Sequence, residues 1–282
     1  MAQIDWIMYL AATSLYIVSS VLYVYCLVFK KEEKLKYAFN SALAGLLFHS
    51  VSIAMRWIET GHGPYISLYE VLSQTAWISV AIFLLVQQKY EKIKIAGFVV
   101  MPVSFLIMGI GATNSRDIQS IPASLYTYWL IPHASFATLA FGAVLIAAGI
   151  AALYILKERF ENTKKVSQDS NSFYQRLPTL KVMDELMYRF VGLALIFLTI
   201  MIATGGIWAN QTWGRYWAWD PIETWSLISW FMYVVCLHLR VNVGWTGKRF
   251  AWFIIFSIFV LAFSLFGVGV VYTGLHTDYI TS

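Results

Sequence analysis

The sequence predicts an all-α polytopic membrane protein of about eight transmembrane helices with both termini extracytoplasmic, and three observations carry that prediction. Of 282 residues, 59% are apolar and only 12% are charged, whereas about a quarter of the residues in an ordinary soluble domain carry charge. Apolar runs recur along the whole chain, each near the roughly 20 helical residues needed to cross a hydrocarbon core of about 30 Å. Basic residues, finally, gather in alternate loops, with 17 of the 20 Lys and Arg falling between the same helix pairs. Lys and Arg accumulate in loops that stay in the cytoplasm, so this asymmetry orients the chain.

The apolar runs lie near 5–29, 38–58, 69–88, 94–112, 129–156, 189–208, 225–240 and 250–272. The seventh is the shortest of clear pattern, yet SLISWFMYVVCLHL contains no Gly, Pro or charge and reads as helix. Irregular backbone exposed to lipid would leave polar groups unsatisfied. Lys30, Lys31, Lys34 and Lys36 follow the first helix, and Lys89, Lys92 and Lys94 follow the third. Seven more basic residues lie between the fifth and sixth, from Lys157 to Arg189, and Arg240, Lys248 and Arg249 follow the seventh. Only Arg56, Arg116 and Arg215 fall on the opposite side. The net charge of +5 is thus a topology signal and gives no support to a nucleic-acid partner.

MAQID precedes the first apolar run without a basic region or a small-residue cleavage site, so the first helix is expected to be a retained span. Cys26 and Cys236 both lie inside spans and form no CxxC, which argues against a disulfide framework or a thioredoxin-type pair. Residues 1–282 read as one integral membrane domain. Its one low-hydrophobicity stretch, Glu158 to Arg189, reads as a cytoplasmic loop with a flexible centre and a surface helix, TLKVMDELMYRF, leading into the sixth span.

The extracytoplasmic loops carry the unusual residues. From Trp213 to Trp230 the chain reads WGRYWAWDPIETWSLISW, five tryptophans in eighteen residues with Asp220 and Glu223 among them. Indoles are large and carry an N–H that needs a partner when water is excluded. One reading is an interfacial aromatic belt; the other is a platform for a flat ligand, with Trp213 and Trp217 one turn apart on a short interfacial helix. His133, after WLIP, and His276, after VVYTGL, fall at the same level as that loop. Two neutral imidazoles on different elements can clamp a haem iron from opposite faces. His238 lies about 20 Å along the seventh helix from Trp225, and His49 roughly 15 Å down the second, so a deeper site could use them. An intramembrane histidine can equally be a polar residue bonded to a neighbouring helix. Arg56 could pair with a ligand carboxylate, or with Glu59 or Glu70. His62 sits in a Gly-His-Gly-Pro turn. Asp220 and Glu223 are expected to shape the loop through hydrogen bonds.

WGRYWAWDPIETWSLISW closely resembles the WWD signature of the haem-handling proteins of cytochrome c maturation, and its ETWSLISW ending is similar to the CcsA (ResC) branch of the type II system. MRWIETGHGPYISLYE, WLIPHASFATLAFGA, LHLR with GWTGKR, and GVGVVYTGLHTDY resemble further stretches of that family. Ile66-Ser67 and Ile222 depart from its commonest pattern, and neither is a proposed ligand. The resemblance implies transport of haem b (iron protoporphyrin IX) across the bacterial cytoplasmic membrane and its presentation for covalent attachment to apocytochrome c. His133 and His276 would be axial ligands of an external site and His238 a ligand of an internal one. Residues 208–230 would form the extracytoplasmic haem-binding loop, with Trp213, Trp217, Trp219, Asp220, Glu223 and Trp225 as cofactor-binding residues. The expected partners are a separate CcsB (ResB) chain and apocytochrome c, with a thioredoxin-like thiol reductant as an optional third. The rival functions are a CcmC-like exporter handing haem to a chaperone, a b-type electron carrier, and a small-solute transporter.

Overall fold

A computed structural model describes residues 2–90, 94, 96–117, 125, 127–164 and 177–276. Among these residues eight long helices follow in chain order: α1 Ala2–Phe29, α2 Leu35–Thr60, α3 Leu68–Lys89, α4 Gly97–Ala112, α5 Leu130–Lys164, α6 Leu180–Trp213, α7 Pro221–Val241 and α8 Lys248–Val271. No strand occurs among the described residues. Seven of these helices are long and apolar enough to cross a membrane. The exception is α4, whose 16 residues span only about 24 Å. The weak segment is therefore the fourth and not the seventh, since α7 runs 21 residues from a capped start.

α5 is the hub, packed against α3, α4, α6 and α8, while α1 and α2 pair along their length and α7 lies on α6 and α8. Its sequence explains the position. Ala140, Ala143, Ala147 and Ala151 are all fully buried, and a stripe of small residues lets neighbouring backbones approach in lipid, where dispersion and polar contacts drive helix association.

α1 builds its seam from phenols spaced seven residues apart. Tyr9, Tyr16 and Tyr23 are fully buried, and each hydroxyl finds a partner, as an apolar interior demands. Tyr9 donates to the Met108 carbonyl at 2.6 Å and Tyr23 to Gln87 Oε1 at 3.0 Å. Tyr16 meets His49 Nδ1 at 3.3 Å, and His49 Nε2 lies 2.9 Å from Ser73 Oγ. Both ring nitrogens of His49 are thus engaged by α1 and α3. His238 occupies an exposed face of α7, so the two histidines do not face one another.

Two local expectations are overturned. TLKVMDELMYRF is not a separate surface helix: it is the first third of the 34-residue α6, with Met183, Leu186, Met187 and Phe190 buried. Nor do Trp213 and Trp217 share an interfacial helix. Gly214, in the left-handed region at φ 73°, ends α6 directly after Trp213, and helix resumes only at Pro221. The Ser-, Asn- and Gln-rich centre of the preceding loop, residues 165–176, lies outside the described residues. Cys26 and Cys236 are buried free thiols.

Candidate haem-binding site

The tryptophan loop is held by its two acids. Asp220 caps α7 by accepting the Ile222 N–H at 2.9 Å, and Glu223 returns to accept the N–H groups of Asp220 at 3.2 Å and Ala218 at 2.7 Å. This reciprocal capping box satisfies donors that a helix start leaves open. Asp220 does more. It also accepts the Leu275 N–H at 2.6 Å and lies 3.0 Å from His276 Nδ1, which fastens the segment after α8 onto the loop before α7. Burial alone would raise the Asp220 carboxyl, but the hydrogen bonds from His276 and from the Ile222 and Leu275 amides hold it below its ordinary value.

His133 projects from the first turn of α5 toward α6, and its Nδ1 lies 2.9 Å from the Met201 carbonyl. A carbonyl only accepts, so Nδ1 carries the hydrogen and Nε2 of the neutral ring keeps its lone pair. Gly205, one turn beyond Met201, makes room: a Cβ there would lie 2.6 Å from His133 Nδ1. His276 repeats the arrangement with a carboxylate as acceptor. Neither Nε2 has a hydrogen-bond partner among the described residues.

Trp208 joins the two imidazoles. Its ring stacks on His133 at 5.9 Å and 22°, and lies 5.3 Å from His276. Trp213 packs on His276 at 4.8 Å and on Trp208 at 4.9 Å. His133 and His276 together line a cleft of about 1010 Å³, measured out to its mouth. Its other walls are largely apolar, including Leu68, Val71, Leu130, Ala134 and Phe266. A smaller space of about 350 Å³ opens beside it, again lined by both histidines, with Trp217 and Glu223 in its wall. The Trp217 indole N–H is buried there without a hydrogen-bond partner among the described residues.

The structure therefore divides the predicted set. His133, His276, Asp220, Glu223, Trp213 and Trp217 converge, and Trp219 stands 69% exposed at the rim, edge-on to Trp217 at 5.8 Å. Trp225 packs on Phe263 and Trp230 donates to Thr199 Oγ1 at 2.9 Å, so both serve helix packing. Arg56 is buried one layer back, with Nε 3.0 Å from Glu70 Oε1 and Nη1 donating to the Arg116 carbonyl at 2.8 Å. His238 lies on α7 far from the cleft, with Nδ1 2.9 Å from the Asn242 amide. Trp208 and Gly205 were not singled out from the sequence. A signal existed, because WLIP-His and GGIW sit at facing helix ends, but nothing in either helix alone reveals the pairing.

The donor set fits haem. Metal-ligating histidines almost always donate their other ring N–H to a carboxylate or backbone carbonyl, which fixes tautomer and ring orientation. Among the described residues no group of three or more His, Cys, Asp or Glu could enclose a bare metal ion. Two imidazoles facing an apolar cleft suit instead a metal that brings its own planar ligand.

Comparison with known proteins identifies the family. Residues 65–276 match the family described as cytochrome C assembly protein. The "Cytochrome c biogenesis protein CcsA" of Trieres chinensis is 32% identical over 266 residues, covering 84% of each chain. That of Guillardia theta is 31% identical over 281 residues, covering 93% of this chain and 92% of its own. Among solved structures, "Cytochrome c Heme Lyase CcmF" superposes with a TM-score of 0.66 at 16% identity over 94% of this chain, showing a shared fold. This chain spans 46% of that longer protein. The match runs from the loop before α3 to His276 itself, and the chain belongs to the cytochrome c assembly protein family, among relatives that carry the CcsA name.

Proposed function

We propose that this chain is a haem-handling membrane protein of cytochrome c biogenesis, in which His133 and His276 hold haem b at one end of the bundle and present it for attachment to apocytochrome c. One observation carries the reading: each imidazole spends its Nδ1–H on a protein acceptor and keeps Nε2 for a metal, with both rings lining one cleft. When bound, haem would be held by His133 and His276 and would supply an iron for imidazole ligation and vinyl groups to which cysteine thiols add.

The protein's own part is positioning. Met201 and Asp220 fix the tautomers, and Trp208 and Trp213 pack on the rings and keep water from them. The unpartnered Trp217 N–H is a donor for a ligand carboxylate. Arg56 acts through Glu70, whose other oxygen receives the Ile66 and Ser67 N–H groups and so sets the loop that walls the cleft.

His238 serves a second site, completed by a CcsB-type partner. Its exposed position on α7 supports this, because a site shared between chains needs a ligand facing outward. The Asn242 amide can turn its oxygen to accept Nδ1–H, which frees Nε2 for iron. The asymmetry of basic residues supports placing the tryptophan loop outside the bacterial cytoplasmic membrane, where apocytochrome thiols kept reduced by a thioredoxin-like protein would meet it. The test is co-expression of the chain, a CcsB-type partner and an apocytochrome bearing CxxCH, with covalent haem scored on the cytochrome. Holocytochrome should need the chain, its partner and both His133 and His276. Full attachment with both histidines replaced would refute the reading.

A further inference from the structure

Beside the haem cleft, at the same end of the bundle, a second groove lies between the α2–α3 loop and the start of α5. It measures about 890 Å³ out to its mouth and is lined by Trp57, His62, Tyr65, Tyr128 and Ile131 among others, with no Lys, Arg, Asp or Glu among the described residues of its wall. Tyr65, Ile66 and Leu125 line both this groove and the haem cleft, so a shared wall separates the two spaces.

The groove is built to hold its shape. Gly61 closes α2 in the left-handed region at φ 75°, and the Tyr65 N–H returns to the Gly63 carbonyl at 2.9 Å. Thr127 donates to Gln211 Oε1 at 2.6 Å, anchoring the start of α5 to the end of α6. His62 Nδ1 lies 2.8 Å from the Gly63 carbonyl and 3.8 Å from Glu70 Oε2. Because the carbonyl only accepts, Nδ1 carries the hydrogen and Nε2 is an acceptor. Tyr128, in the loop before α5, is 90% exposed, and aromatic side chains of this kind are enriched at recognition sites.

Resting on the haem reading above, we infer that this groove receives the cysteine-bearing segment of the apocytochrome, with His62 Nε2 accepting a thiol hydrogen bond. The wall it shares with the haem cleft is what selects this occupant, since a segment whose sulfurs are destined for the haem edge must dock directly beside the space that holds it. The uncharged lining suits a short apolar-to-neutral peptide rather than a lipid headgroup or an anion.

The test uses the full chain in detergent, with a photo-crosslinking residue placed at Tyr128 or, as control, at Tyr37, which is half exposed at the opposite end of the bundle. The probe is a synthetic peptide with two cysteines spaced as in CxxCH, alongside its double-serine counterpart. His62→Asn keeps a donor for the Gly63 carbonyl while removing the distal acceptor. One neutral hydrogen bond corresponds to about a 2- to 10-fold change in affinity. Crosslinking should occur at Tyr128 and not at Tyr37, His62→Asn should weaken the cysteine peptide by about that factor without affecting the serine peptide, and its haem spectrum should match wild type. Equal labelling at both positions, or unchanged affinity in His62→Asn, would overturn the inference. Loss of the haem spectrum in wild-type protein would instead refute the haem reading and leave the groove result to stand separately.

Discussion

Replacing Asp220 by Ala should loosen haem without removing a ligand, because one carboxylate holds three separate groups. It accepts the Ile222 N–H at 2.9 Å, the Leu275 N–H at 2.6 Å and His276 Nδ1 at 3.0 Å. Loss of the helix cap costs about 1 kcal/mol. The Leu275 and His276 bonds end on a charged acceptor and are worth about 1.5–3 kcal/mol each. Removing the outer partner of a metal-ligating histidine typically lowers metal affinity about 10- to 100-fold. Asp220→Ala should therefore lose haem to a scavenger about 10- to 100-fold faster than wild type, followed by visible absorption. Asp220→Asn keeps an acceptor without the charge and should fall between. Glu223→Gln is the control: it perturbs the contacts to Ala218 and Asp220 but does not touch His276, so its effect should be smaller. If Asp220→Ala releases haem at the wild-type rate, the coupling between the loop and His276 is refuted.

Gly205→Ala introduces a Cβ 2.6 Å from His133 Nδ1, and relief of such crowding costs about 1–3 kcal/mol; the visible spectrum should show partial loss of six-coordinate haem while helix content by circular dichroism stays unchanged. Arg56→Ala leaves Glu70 buried without its cation, so the detergent-solubilised protein should lose about 3–5 kcal/mol of stability, whereas Arg56→Met with Glu70→Gln should recover most of it in thermal melts. Trp219 holds φ at 57°, a strained value for a bulky residue at about 1–3 kcal/mol. Trp219→Gly should accordingly raise the melting temperature and still lower cytochrome attachment, because the exposed indole is lost.

The membrane architecture was legible because lipid imposes a length and a composition on every span, and the apolar runs reported both. α4 is the short crossing, with 16 residues from Gly97 to Ala112, and Lys94, counted into the run, lies outside the helix. The continuity of α6 was hidden by Asp184, Glu185 and Arg189, which read as a surface segment. In the fold Asp184 accepts the Gly247 N–H at 2.7 Å and pairs with Arg240, so its charge is consumed by tertiary contacts. The histidines flanking the tryptophan loop were visible as a pair by topology alone. What the sequence did not reveal was which indoles reach them, since Trp208 belongs to α6 and Trp225 and Trp230 turn to Phe263 and Thr199. That sorting depends on helix rotation, which spacing of a few residues across a helix break does not determine.

His133 and His276 are proposed to straddle one iron, and electron paramagnetic resonance of the oxidised, haem-loaded protein tests that pairing directly. Wild type should give a low-spin signal with two imidazole ligands from that site. His133→Gly and His276→Gly should each convert it to high spin, and added imidazole should restore the low-spin form. A wild-type signal that is high spin, or one left low spin by both substitutions, would rule out the pair as the iron's two ligands.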